Sequence, residues 1–365
     1  MDYHGWEITA RYGSVEEEYA ALRGGTGWGA GLIDLSHRGR LLVRGEDAPR
    51  FLHGMVTNEV KELGIGHGNY AFVLDPKGHI LADARVLRLD AESYLIDCEP
   101  QLLEVIRKEL DDHIIADAVE LEDQSGQLAC VAVEGPGAAE VIERAAGIEV
   151  PINIANMGAF EHVRFEEQQI RLVRASASGW EGYLILAAPE KAAEFWRKAM
   201  ELATERNDID MSFRRAQRTM GEENQLGALP VGFEAVEIRR IERGTPRYGV
   251  DMDAKTLPQE TGQMHAISFT KGCYIGQETV ERIHSRGHVN RQLVGLRFRE
   301  RCEIAREMMV LVKGHPSRFT TSVAYSPGLA GTIALAYLRS DNAAPGTAVQ
   351  VNNQDGAVAA LPLGE

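Results

Sequence analysis

The chain has 365 residues, 44% of them apolar and 25% charged, and its 39 Lys and Arg against 54 Asp and Glu leave a formal charge of -15 and a pI near 5.3. That length exceeds what one hydrophobic core ordinarily serves, so two or three domains are expected. The acidic balance disfavours general binding to nucleic acid or to anionic lipid, because like charges repel at long range. The opening MDYHGWEITARYGSVEEEY has neither a basic start nor an apolar run, and apolar stretches such as 329 to 338 are interrupted by Gly331 and Thr332. These stretches fall far short of the roughly 20 residues that span a bilayer, so a soluble, cytoplasmic protein without a membrane partner is expected.

In chain order, residues 31 to 45 (GLIDLSHRGRLLVRG) read as two short strands, followed by a helix with Asp47 as candidate cap and Pro49 in its first turn. Phe51, Leu52, Met55 and Val56 give that helix one apolar face. A β-hairpin follows: a strand at 70 to 74, the turn Asp75-Pro76-Lys77-Gly78, and a long strand at 79 to 89, with 94 to 98 continuing the sheet. Helices at 101 to 110 and 138 to 146 alternate with strands at 119 to 122 and 128 to 133. A second hairpin spans 161 to 188 and pivots about Ser178 and Gly179, a helix runs from 189 to 206, and another at 234 to 243 stops at Gly244. From 289 onward short segments rich in Val, Thr and Tyr, divided by Gly and Pro, replace helical periodicity and read as a C-terminal β-barrel. The fold class expected is α+β, with antiparallel sheets, helices and that barrel.

Four cysteines lie far apart without a CxxC, and the histidines show no HExxH, so neither a disulfide framework nor a self-held metal site is expected. Gly25, Gly27 and Ala30 loosely match a dinucleotide-binding pattern, but a strand rather than a helix follows, which excludes it. The segment 271 to 278, KGCYIGQE, sets Cys273 between glycines just before a helix expected at 276 to 285, where the helix N-terminus and Lys271 would both favour a thiolate. The alternative is a tight turn in which Cys273 merely packs. Cys98 and Cys130 sit in apolar strands and read as structural. Asp83 lies on an otherwise apolar strand, placed either to hydrogen-bond a ring nitrogen in a cleft or to pair with Arg85. Lys271, Arg282, Arg286 and Arg291, with His284 and His288, form a locally basic strip that could receive carboxylates or phosphates, or could be a solvated helix face.

KGCYIGQE resembles the signature of the YgfZ family of folate-binding proteins, and so do DLSHRGRLLVRGEDAPRFLHGMVTNEV, RRIERGTPRYGVDM at 239 to 252, and YSPGLAGTIALAYL. The T-protein of glycine cleavage, an aminomethyltransferase, is similar in layout. Compared with its KGDFIGRE-like segment, Cys273 replaces Asp and Gln277 replaces Arg. Its GGxxDD hairpin corresponds to GHILAD, which keeps the second carboxylate as Asp83 and has Ala82 for the first; its GEDGFE element corresponds to GWEGYL, with Leu184 where a pterin-holding Glu would be.

The resemblance implies three domains around a folate channel: residues 1–45 with 126–215, residues 46–125 with 216–288, and a barrel at 289–365. It implies tetrahydrofolate or a derivative as cofactor, Cys273 and Asp83 as catalytic residues, and folate contacts from Asp83, Lys271, Tyr274, Gln277 and Glu278. The leading expectation is a YgfZ-like protein supporting iron–sulfur cluster assembly or repair and iron–sulfur-dependent tRNA modification, with iron–sulfur proteins or assembly factors as partners. The alternatives are an aminomethyltransferase that forms methylene-tetrahydrofolate from an aminomethyl group on a lipoyl-carrying protein, and a non-catalytic folate- or protein-binding scaffold.

Overall fold

Along the strand Ile80–Arg88, Ile80, Ala82, Ala84 and Val86 are buried while Leu81, Asp83 and Arg85 are partly exposed. This period of two is what a strand with one face on a core requires. The computed structural model describes residues 1–24, 28–150, 160–213, 225–287 and 289–364. The chain divides between two units, residues 1–38 with 124–236 and residues 39–123 with 237–365.

The first unit holds a six-stranded sheet in the order His162–Phe165, Ile170–Val173, Gly182–Ala187, Ala129–Glu134, Trp28–Asp34, Gln225–Pro230, in which the last pair alone is parallel. The helix Ala138–Ala146 packs on it through Val141, Ile142 and Ala145, and Phe195 and Ala199 of the helix Pro189–Phe213 join the same core. The hairpin expected at 161 to 188 is instead three strands. Its first turn falls at the polar run Glu166-Glu167-Gln168-Gln169, where Gln169 has a φ of 56°. The Ser178–Gly179 turn is secured by the buried Glu134 carboxylate, which accepts from the Ala177 and Ser178 N–H groups at 2.5 and 3.2 Å. The helix expected to end at 206 runs on to Phe213, since no Gly or Pro interrupts it.

The second unit contains a five-stranded antiparallel sheet in the order Gly68–Leu74, Ile80–Arg88, Ser93–Cys98, Gly39–Arg44, Glu120–Asp123. One face is covered by the helices Ala48–Met55 and Leu103–Asp111, whose Phe51, Leu52, Ile106 and Leu110 meet Leu41, Val43, Ala82, Ala84 and Val86. The same unit includes a closed barrel of six strands between Arg291 and Ala359. Closure leaves none of them with an open edge.

Buried polar groups fasten the barrel to the helix Phe233–Arg243. Arg240 donates to Asp251 and to the Ser322 hydroxyl, both at 2.7 Å, and Ser322 and Thr321 donate in turn to Asp251. Burial acts against the Arg240 charge, but Asp251 and Glu237 more than offset it and raise its pKa. Among the described residues no helix is long and apolar enough to cross a membrane.

The hairpin turn and the segment before the helix Gln277–Arg286 interlock through glycines. Gly276 has a φ of 81°, and a Cβ there would lie 2.6 Å from the Asp75 carbonyl oxygen; a Cβ on Gly78 would lie 2.8 Å from that of Thr279. Gly287, at the other end of this helix, has a φ of 76° with nothing within 4 Å of its Cβ position. Gly287→Ala is therefore expected to cost about 1 kcal/mol, the left-handed backbone alone, and Gly276→Ala at least about 2 kcal/mol because a backbone clash is added. Urea unfolding of both variants checks the order.

Candidate functional site

The site is built on the hairpin of the second unit. Tyr70 stands opposite Arg85 in the register, diagonal to Asp83, so its ring can reach along the strand. Its hydroxyl donates to Asp83 Oδ2 at 2.8 Å. Ala82 points the other way, fully buried in the core beneath the helix Ala48–Met55. A carboxylate at position 82 would face that core rather than join Asp83.

Two further rings gather here. The His265 ring stacks on Tyr70 with centroids 5.7 Å apart and an interplanar angle of 28°. Burial, aided by Arg243, pushes the His265 pKa down, so the imidazole is neutral near pH 7. Burial first, and then the carboxylates of Asp253 and Asp83, raise the Tyr248 phenol. Arg85 donates to Asp97 at 2.9 Å.

The KGCYIGQE segment has a different character from the one expected. Lys271 turns inward, and its ammonium donates to the carbonyls of His53, Val56 and Asn58 at 2.5, 2.7 and 2.7 Å while lying 5.1 Å from the centre of the Tyr274 ring. The His53 carbonyl belongs to the last turn of the helix Ala48–Met55, where carbonyls lack intrahelical partners, and those of Val56 and Asn58 lie in the extended chain just beyond it. Burial pushes the ammonium down to about 7, against Glu59, which raises it. With its three protons engaged, Lys271 is not placed to receive a folate carboxylate.

Tyr274 is buried among Phe72, Leu74, Ile80 and Val280. Gln277 is half-buried in the first helical turn, and Glu278 is exposed. Cys273 is exposed at the tip of the segment. Beside it the His53 ring lies 3.5 Å from where a Gly272 Cβ would be, with Nδ1 3.0 Å from Glu59.

The basic strip is not assembled. Arg291 pairs with Glu260 at 2.9 and 3.0 Å and lies over the Tyr337 ring, Arg282 and Arg286 are exposed, and His288 lies outside the described residues, as do Gly25 and Gly27. Cys98 and Cys130 are buried, as expected for structural thiols. Leu184 is buried in the central strand Gly182–Ala187 of the first unit. Among the described residues no group of three or more His, Cys, Asp or Glu is placed to hold a metal ion.

Sequence reasoning singled out Asp83 but missed Tyr70, His265 and Asn58. A bulge beside the turn shifts the register by one, so counting outward from the turn would have set Tyr70 opposite Ala84, on the face away from Asp83. His265 and Asn58 carry no local signal.

The model of the GCVT N-terminal domain matches residues 1–224, and that of the glycine cleavage T-protein C-terminal barrel domain matches residues 291–363. The chain belongs to the glycine cleavage T-protein family.

Among its relatives is an aminomethyltransferase of Halothermothrix orenii, 27% identical over 355 residues that cover 96% of this chain and 90% of the relative. Another, from Rubrobacter xylanophilus, is 28% identical over 344 residues, covering 93% and 82%. The crystal structure of the glycine cleavage system aminomethyltransferase T from Bartonella henselae superposes with a TM-score of 0.83 over 99% of this chain and 93% of that one; at 22% identity it speaks to fold. These matches confirm the α+β T-protein architecture with its C-terminal barrel. They also overturn the leading expectation, because the full-length relatives are aminomethyltransferases rather than proteins serving iron–sulfur clusters or tRNA modification. The eight-residue KGCYIGQE signature was outweighed by similarity along nearly the whole T-protein chain.

At the hairpin tip, burial raises the Asp75 pKa, but the His79 N–H and ring and the Lys77 N–H more than offset it and hold the carboxyl below its ordinary range. The native state therefore binds this proton less readily than the unfolded chain. The stability gained is fully present above the unfolded carboxylate value near 3.8 and is lost as pH falls through the lower folded value. Urea midpoints measured from pH 6 down to about 3 should fall less steeply for Asp75→Asn than for the wild type, because the variant lacks this titration.

Proposed function

We propose that this chain is a tetrahydrofolate-dependent aminomethyltransferase that takes an aminomethyl group from a lipoyl-carrying protein. The observation that carries this reading is Asp83, a half-buried carboxylate oriented by the Tyr70 hydroxyl at 2.8 Å among Tyr70, Tyr248 and His265. An acceptor-only group among aromatic rings suits a flat heterocycle with N–H donors. The whole-length similarity to aminomethyltransferases supports the same substrate class. Ala82 does not weaken it, since that position belongs to the core face.

Tetrahydrofolate would supply the two nitrogens that take up the carbon, one in its pterin ring and one on its arylamine, with ammonia and the reduced lipoyl dithiol as the other products. The protein's part is to orient and to move protons. The Tyr70 hydroxyl fixes the carboxylate of Asp83, which would accept a proton from a nitrogen of the bound heterocycle.

Replacing Asp83 by Asn keeps the shape and removes the base. Turnover with an aminomethyl-loaded carrier should fall about 100-fold or more, the usual contribution of a positioned general base, while calorimetric titration shows tetrahydrofolate binding weakened less than about tenfold. Turnover of Asp83→Asn at the wild-type rate would remove Asp83 from the chemistry.

A further inference from the structure

The main chain from Val56 to Asn58 is engaged on both sides. Val56 bridges Val73, the Thr57 N–H donates to the Phe72 carbonyl at 3.0 Å, and the Thr57 hydroxyl accepts from the Phe72 N–H at 2.9 Å. Facing the other way, that hydroxyl donates to the Ala266 carbonyl at 2.6 Å, and the Thr57 carbonyl accepts from the Ser268 N–H at 3.0 Å. The Asn58 side-chain amide donates to the carbonyls of Tyr70 and His265, each at 2.9 Å. These are the two residues whose rings stack at Asp83. Lys271 closes the assembly by holding the carbonyls at both ends of the stretch, Val56 and Asn58, together with that of His53.

We propose that Lys271 and Asn58 are positioning residues for Asp83: the ammonium fixes the backbone of Asn58, the Asn58 amide fixes Tyr70 and His265, and the Tyr70 hydroxyl fixes the carboxylate. The proposal deepens the aminomethyltransferase reading and rests on it for its catalytic consequence. The first link is a charge-assisted contact while Lys271 is protonated, and a carboxylate displaced by about 1 Å loses most of its value as a base. A lysine suits the place because its three N–H groups radiate from one nitrogen toward three converging carbonyls. Ile275, whose N–H donates to the Gly54 carbonyl at 3.2 Å, holds the same segment to the helix end and reports on its closure.

The test compares Lys271→Met, Asn58→Ser, Tyr70→Phe and the double variants in the full chain, with tetrahydrofolate and an aminomethyl-loaded carrier. Lys271→Met and Asn58→Ser should each lower kcat about tenfold or more while KM for tetrahydrofolate stays within about threefold. Adding either to Tyr70→Phe should lower kcat by at most about a further factor of two, because all act through one hydroxyl. Asn58→Ser retains the carbonyl bound by Lys271 and keeps the test readable if Lys271→Met does not fold.

Wild-type kcat in both folded variants, or losses that multiply with that of Tyr70→Phe, overturns the proposal. If the wild type itself shows no turnover, the proposed function fails, and amide hydrogen exchange then decides the latch. Exchange at Phe72 and Ile275 should rise about tenfold in Lys271→Met; unchanged exchange at both overturns the latch as well.

Discussion

A buried ammonium shared by three backbone carbonyls organises the hairpin side of this protein. Removing a charge from water costs on the order of several kcal/mol unless polar partners replace the hydration shell. The end of the helix Ala48–Met55 offers such partners, since its carbonyls lack intrahelical donors. Lys271 takes the His53 carbonyl of that helix and those of Val56 and Asn58 in the chain that leaves it. Segments more than 200 residues apart in sequence are thereby joined, and Gly78 and Gly276 stand where the hairpin turn and the KGCYIGQE segment approach too closely for a Cβ.

Strand parity then sets the chemistry. Ala82 and Asp83 are adjacent in sequence but face opposite sides of the sheet, one toward aliphatic side chains and the other toward Tyr70. A slip of one residue would exchange them and bury the carboxylate. Register is held by core residues on both neighbouring strands, among them Ala71, Val73, Ile96 and Cys98. The T-protein scaffold can therefore vary at position 82 without altering the face that carries Asp83.

Much of this was legible from local pattern. The helix Ala138–Ala146, the hairpin around Asp75–Gly78 and the barrel all follow from periodicity and turn residues acting over a few positions. Asp83 stood out because it interrupts an apolar strand. Lys271 misled because its charge was read against its neighbours in sequence, whereas its partners lie 213 to 218 residues away. The basic strip dissolved for the same reason, with Arg291 drawn to Glu260. The segment KGCYIGQE drew attention to an exposed thiol, yet its lysine and glycines explain most of its form through packing, and family membership rests on similarity spread along the chain.

The most direct test of this account is ammonia release by the wild-type protein from an aminomethyl-loaded lipoyl carrier, measured with and without tetrahydrofolate. The account predicts release that depends on tetrahydrofolate and matches it mole for mole. Release at the same rate without tetrahydrofolate, or no release with the cognate carrier and tetrahydrofolate both present, would contradict it.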